Sequence, residues 1–242
     1  MTDLDKRFLS VTQKIEAVTL AAGRKSSSVR LLAVSKTFEA ALVKALWDKG
    51  QRAFGENYVQ EALAKIEALK SVRTAENSIE WHLIGPLQSN KTAVVAEHFD
   101  WVQTIDRLKI AQRLSDQRPA HLPPLNVCIQ VNVDGGQTKS GIDCTASLQA
   151  LLDLARQINA LPRLTLRGLL TIPEPENDAA KQQAVFTKAR TAFDFLNANL
   201  DASHQLDTLS MGMSADFGAA IEAGSTMVRI GSSIFGDRAR NA

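Results

Sequence analysis

Val29-Arg30-Leu31-Leu32-Ala33-Val34-Ser35-Lys36 is the stretch on which the fold turns. Its apolar run, interrupted only by Arg30, reads as a buried strand ending at Ser35-Lys36. A helix follows over about 39–49, stopped by Gly50, and Arg52-Ala53-Phe54 begins a second short strand. Strands joined through a helix run parallel, because such a crossover returns the chain to the same end of the sheet. One unit of this kind fits many folds, so the number of repeats decides.

The cycle continues along the chain. Gly55-Glu56-Asn57 leads into a helix over about 58–70, and residues 79–84 form a third strand, followed by Gly85-Pro86 and a helix from about 89. Residues 101–105 are the fourth strand, with Asp106 placed to cap the next helix. A fifth strand over 125–133 precedes a glycine-bearing loop and a helix over about 145–159. Then come strand 164–172, helix 178–200, strand 206–209, helix 214–222 and strand 226–230. Ahead of them all, Leu4, Phe8, Val11, Ile15, Val18 and Leu20 mark a helix over 3–22 that Gly23 stops. Eight strands alternating with helices is the number that closes a barrel. An open doubly wound sheet is the alternative, but the glycine-rich dinucleotide fingerprint is missing after the first strand. The expected fold is therefore α/β, a single TIM (β/α)8 barrel with an extra N-terminal helix, spanning residues 1–242 as one domain.

Composition narrows the partners. The 242 residues are 45% hydrophobic and 22% charged, an ordinary globular balance. Twenty-eight basic and 26 acidic residues are interspersed for a net charge of +2, which argues against nucleic acid, since phosphate backbones want a concentrated basic face. Cys128 and Cys144 have no metal-ligand spacing, and no metal site or disulfide framework is expected. No apolar run is long enough to span a membrane, and Met1-Thr2-Asp3-Leu4-Asp5-Lys6 lacks the layout of a signal peptide. The expected setting is a reducing cytoplasm.

Chemistry in such a barrel gathers where the strands end at their C-termini. Met211-Gly212-Met213-Ser214 and Gly231-Ser232-Ser233 follow the last two strands, where barrels often hold phosphate. Each offers a glycine for close backbone approach and a hydroxyl at a helix start. Either serine alone reads as a helix N-cap; the pair on adjacent strands favours an anion site. Lys36 ends the first strand. A lysine there is either a surface charge or, projecting into the mouth, an amine able to attack a carbonyl. Phosphate pocket and amine together describe a ligand carrying a phosphate and an aldehyde. Pyridoxal 5′-phosphate (PLP) and a sugar-phosphate aldolase substrate both satisfy that description.

Longer motifs separate them. Val34-Ser35-Lys36, Phe54-Gly55-Glu56-Asn57-Tyr58, His82-Leu83-Ile84-Gly85-Pro86-Leu87-Gln88-Ser89-Asn90-Lys91, Lys139-Ser140-Gly141, Arg167-Gly168-Leu169, Leu209-Ser210-Met211-Gly212-Met213-Ser214-Ala215-Asp216 and Val228-Arg229-Ile230-Gly231 resemble the pyridoxal phosphate homeostasis protein family (YggS/PROSC). The resemblance runs from about residue 5 to 238. It implies a barrel like the N-terminal domain of alanine racemase, with PLP held as a Schiff base on Lys36 and a role in PLP (vitamin B6) homeostasis. It also implies that Ser214, Gly231 and Ser232 hold the phosphate and that Arg229 faces the pyridine nitrogen. Asn57, His82 and Met213 complete the expected cofactor-binding set. For Asn57 the alternative is a helix cap, and for His82 a ring packed or hydrogen-bonded at a strand end. Lys139 reads either as a second, transient lysine for cofactor transfer or as a solvated loop residue.

No catalytic residue is expected. An arginine always donates and is always charged, so it does not keep the ring nitrogen protonated as a carboxylate partner does. The racemase also takes a tyrosine base from a further domain, and the one tyrosine here is Tyr58. An amino-acid racemase-like PLP enzyme is the alternative. The expected partners are PLP and the apo-forms of PLP enzymes, and the expected state is a monomer.

Overall fold

The computed structural model describes residues 1–72, 78–135, 140–145, 147–176 and 178–236. Among the described residues nine strands lie in chain order: β1 (Arg30–Val34), β2 (Ala53–Glu56), β3 (Glu80–Leu83), β4 (Trp101–Ile105), β5 (Leu125–Asn132), β6 (Ile142–Asp143), β7 (Leu164–Thr171), β8 (Thr208–Ser210) and β9 (Met227–Ile230). All are parallel. The order β4-β3-β2-β1-β9-β8-β7-β5 closes through β4–β5 pairing, so eight strands form the barrel. The two-residue β6 hangs on the outer edge of β5, where Val131 pairs with Ile142. It falls within the loop expected ahead of the helix at about 145–159, being too short to carry a pattern.

The helices are α1 (Asp3–Ala21), α2 (Ala40–Trp47), α3 (Val59–Ala68), α4 (Thr92–His98), α5 (Leu108–Gln117), α6 (Gln149–Asn159), α7 (Ala179–Asn199), α8 (Phe217–Glu222) and α9 (Ser232–Phe235). Their buried faces follow helical spacing: Ile110, Ala111 and Leu114 on α5, and Leu151, Leu154, Ala155 and Ile158 on α6. Caps fix some of the starts. Thr2 and Asp5 form a reciprocal capping box on α1, and the Asp178 carboxylate accepts the N–H groups of Ala180 and Lys181 on α7. Asp106 does not cap α5 as expected. Its carboxylate pairs with the Arg107 guanidinium at 2.8 Å, and Arg107 holds the cap position without a side-chain bond.

With α9 reduced to one turn, α1 covers that side of the barrel. Arg7 Nε donates to the Ile234 carbonyl of α9 at 2.9 Å, and Arg24 Nη1 to the Ile221 carbonyl of α8 at 2.8 Å. The apolar interior falls into two bodies: a shell between strands and helices, and a lumen cluster of Leu32, Val34, Ala53, Ile84, Trp101, Cys128, Leu170 and Met227. The helices cover the outside and side chains fill the lumen, so the upper mouth is left for a ligand. No described helix is long and apolar enough to cross a membrane.

Candidate functional site

Strand alternation sends every second side chain into the lumen. On β1 that phase places Leu32 and Val34 in the lumen cluster, and two residues further Lys36 lines the mouth. On β9 it places Met227 in the lumen and Arg229 at the cavity. The cavity measures about 1110 Å³, slightly above the range of about 300–1,000 Å³ usual for small-molecule sites. Val34, Phe38, Ile84 and Ile172 give it apolar wall, with Phe38 stacked on Phe235 at a centroid distance of 4.9 Å. Lys36 and Asn57 enter from the β1 and β2 ends, and Met213, Ser214, Gly231 and Ser232 from the β8 and β9 ends.

The β8–β9 side is shaped by backbone. Gly212 has φ +93°, and a Cβ there would stand 2.6 Å from the Ala220 Cβ and 3.0 Å from the Phe217 Cα. Only glycine lets the chain turn this tightly into α8. The turn brings the Ser214 and Ser232 hydroxyls to 3.4 Å from each other. Neither serine caps a helix, since α8 is preceded by Asp216 and α9 by Gly231. Helix α8 also begins three residues later than expected, because the Asp216 carboxylate takes the Met213 N–H and closes a turn over Met213–Asp216.

Arg229 is 4% exposed. Its Nη1 donates to the Ser210 carbonyl at 2.7 Å and the Ser210 hydroxyl at 3.0 Å, and its Nη2 to the Thr171 carbonyl at 2.8 Å. Among the described residues no carboxylate forms an ion pair with it. Burial brings its pKa down to about 10, which leaves it protonated at neutral pH. Three oxygens fix the fork in place while the charge remains available to the cavity.

Asn57 lines the cavity rather than capping α3, whose cap position is Tyr58 without a side-chain bond. Its backbone is pressed by the next loop so closely that a Cβ on Gly85 would overlap the Asn57 carbonyl. Tyr58 itself is 58% exposed and is not part of the cavity wall.

Seven of the eight residues expected at a cofactor site line this one cavity; His82 does not. It shares the inward phase of Ile84 but lies two residues deeper, about 6.6 Å along the strand. Its Nε2 lies 2.7 Å from the Glu80 carboxylate and its Nδ1 2.8 Å from Gln103 Nε2, and the ring stacks on Trp101 at 5.0 Å. Burial lowers its pKa against the opposing pull of Glu80, so the ring is neutral and Nε2–H donates. His82 is thus packed and hydrogen-bonded below the floor. Lys139 lies outside the described residues. The apolar wall of Phe38, Ile84 and Ile172 and the Arg229 acceptors Ser210 and Thr171 are not among the residues expected from sequence. Their strand-end positions were the available signal.

The model of the alanine racemase N-terminal domain matches residues 12–239. A pyridoxal phosphate homeostasis protein of Vibrio cholerae is 52% identical over 245 residues, covering 100% of each chain. One from Escherichia coli (strain K12) is 50% identical over 238 residues, 98% of each. The chain belongs to the pyridoxal phosphate homeostasis protein family. Among solved structures, PipY of Synechococcus elongatus PCC7942, another protein of this size and fold, was determined with PLP bound. It superimposes with a TM-score of 0.80 at 34% identity, covering 97% of this chain and all of that one. An alanine racemase of Clostridium difficile, 15% identical, shares the fold over 95% of this chain and 57% of its own, with a TM-score of 0.66. The family's closed eight-stranded barrel is therefore the fold of this chain too.

Proposed function

We propose that this protein binds PLP in the mouth cavity, with Lys36 as its covalent anchor, and serves intracellular PLP homeostasis without turnover. One observation carries the reading. An inward-phased lysine, a guanidinium buried without a carboxylate partner among the described residues, and two adjacent hydroxyls line one cavity in a family whose members are named for this role. These groups fit the cofactor's amine acceptor, ring nitrogen and phosphate in kind and number.

PLP supplies an aldehyde: its carbon forms a double bond with Lys36 Nζ, and its oxygen leaves as water. Ser214, Ser232 and the Gly231 backbone take the phosphate through charge-assisted hydrogen bonds. Arg229 donates toward the ring nitrogen and, having no acceptor site, leaves that nitrogen without a proton. A ring held this way is a weak electron sink, which suits retention over reaction. Asn57 and Met213, which line the same cavity, would complete the contacts to the cofactor. Tyr58, outside the cavity wall, is not placed to act as a base. We further propose that residues 1–242 form one PLP-binding domain, monomeric and cytoplasmic, which exchanges cofactor with the apo-forms of PLP enzymes.

The test is borohydride reduction of the PLP-loaded protein followed by peptide mapping, with α-deuterium exchange of D- and L-alanine in heavy water as its second arm. The label is expected on Lys36, with no exchange. A label on Lys91 or Lys139 with Lys36 unmodified removes the site. Exchange at several turnovers per second, abolished by Lys36→Ala, moves the protein among racemase-like enzymes.

A further inference from the structure

Behind the barrel wall, on the face opposite the cavity, lies a buried ionic cluster that cofactor binding does not use. Ser35 and Glu56 have the outward phase of their strands, alternate to Val34 and Gly55, and so meet α3. Lys65 on α3 is 4% exposed, and all three of its ammonium protons are placed. They go to the Ser35 carbonyl at 2.7 Å, Glu56 Oε1 at 2.8 Å and Glu61 Oε1 at 2.6 Å. The Ser35 hydroxyl donates to the same Glu56 oxygen at 2.6 Å. Among the described residues the other oxygen, Oε2, is buried without a partner, and burial raises the Glu56 pKa against the pull of Lys65. Such a cluster is a costly thing to keep behind a strand end for packing alone.

Its contacts converge on the turn that carries Lys36. Phe38 N–H bonds to the Ser35 carbonyl, which puts Lys36 and Thr37 at the two central positions of a tight turn. Thr37 has φ +68°, and among the described residues it is the only non-glycine with a positive φ. A β-branched residue in that region is strained and persists only when its surroundings impose it. The Glu61 carboxylate imposes it by accepting the Thr37 N–H. Ser35 and Thr37, the two neighbours of Lys36, are therefore tied to one cluster, while Lys36 projects to the other side of the wall.

We infer that Glu61, oriented by Lys65 and Glu56, is a positioning residue: it holds Thr37 in the left-handed conformation and so aims the Lys36 amine at the cofactor's aldehyde. This rests on Lys36 being the covalent anchor. The strap touches neither phosphate turn nor Arg229, so it governs the covalent step and not the non-covalent hold. Glutamine at position 61 keeps an oxygen that can accept the Thr37 N–H, whereas alanine does not. Glycine at position 37 takes positive φ without strain and so removes the need for the strap.

The experiment compares the full-length protein with Glu61→Ala, Glu61→Gln, Thr37→Gly and the Thr37→Gly/Glu61→Ala double variant. Two quantities are read: the rate of borohydride-trappable attachment of PLP to Lys36, and the dissociation constant of pyridoxine 5′-phosphate, which has an alcohol in place of the aldehyde. Glu61→Ala is expected to slow attachment about tenfold or more, the scale of one charge-assisted hydrogen bond, with pyridoxine 5′-phosphate affinity within about twofold of the parent. Glu61→Gln is expected to recover most of the rate, and so is the double variant. An unchanged rate in Glu61→Ala, equal loss of attachment and analogue binding, or a double variant as slow as Glu61→Ala each overturns the inference. A parent protein that is never labelled on Lys36 instead overturns the anchor assignment on which it rests.

Discussion

The turns after β8 and β9 face the same cavity as the turn after β1, yet they are held in different ways. The former depend on backbone: a glycine at φ +93°, an Asp216 carboxylate closing the Met213 turn, and two hydroxyls brought to 3.4 Å. The latter depends on buried charge: a threonine at φ +68° whose N–H is taken by Glu61, behind which Lys65 ties Glu61 to Glu56. An anion is well served by preorganised N–H and O–H groups that need no net charge of their own. A nucleophilic amine needs the backbone that carries it held in one conformation, and here that hold comes from behind the wall. The two constructions should therefore fail separately.

The largest expected effect is on the hydroxyl side. Ser214→Ala with Ser232→Ala removes charge-assisted bonds of about 1.5–3 kcal/mol each, so PLP retention by equilibrium dialysis should weaken tenfold or more. Lys36 should still be the residue that borohydride labels. A double variant with an unchanged dissociation constant would place the phosphate elsewhere and dissolve the contrast.

A smaller effect should come from the backbone beneath those hydroxyls. Gly212→Ala forces a side chain into positive φ and against Ala220 and Phe217, at a cost on the order of 1–3 kcal/mol. Its denaturant midpoint should fall, and its PLP affinity should fall with it, because Ser214 follows two residues later. The attachment rate to Lys36 at saturating PLP should hold. A variant that is destabilised but binds PLP normally would show that the turn supports the fold and not the anion site.

The smallest effect extends the comparison to the layer under the mouth. The folded pKa of His82 lies below its unfolded value of about 6.5. On acidification through that value the unfolded chain takes up a proton that the folded chain refuses, so stability falls as the pH drops from about 7 to 5. The slope from one group is at most about 1.4 kcal/mol per pH unit. Glu80, where burial is outweighed by the His82 hydrogen bond and Arg30, is held well below the usual carboxylate range. It stays ionised through this window, and its own stabilisation is lost only at lower pH. Urea denaturation between pH 7 and 5 should show the slope in the parent and a flatter line in His82→Gln. Parallel lines would mean that the ring takes up its proton in the folded barrel.

The alternation of strand and helix was legible because the strands are compact apolar runs, most of them punctuated by glycine or proline, and eight of them leave little choice of closed sheet. The mouth residues were legible for a related reason. Once the strands are counted, their C-terminal ends are known, and Lys36, Asn57, Ser214, Arg229, Gly231 and Ser232 all stand there. His82 shows where that reasoning stops. Its strand and inward phase were readable, but the layer at which the lumen fills with side chains and the cavity begins depends on how far each strand is staggered against its neighbours. Asp106 failed for a different reason, since a carboxylate next to an arginine can pair with it as readily as cap a helix.

By itself the sequence determined the barrel, its extra N-terminal helix and the set of polar groups at one end, because periodicity and punctuation are local properties of the chain. The tertiary structure alone decided which of those groups meet. The pairing of Ser214 with Ser232, the three oxygens that hold Arg229 and the cluster of Glu56, Glu61 and Lys65 behind Lys36 join residues from different strands and helices. Burial, which shifts the pKa of Arg229 and Glu56, exists only once the wall is closed around them. The left-handed Thr37 is the sharpest case, for its residue type argues against the conformation that the fold imposes on it.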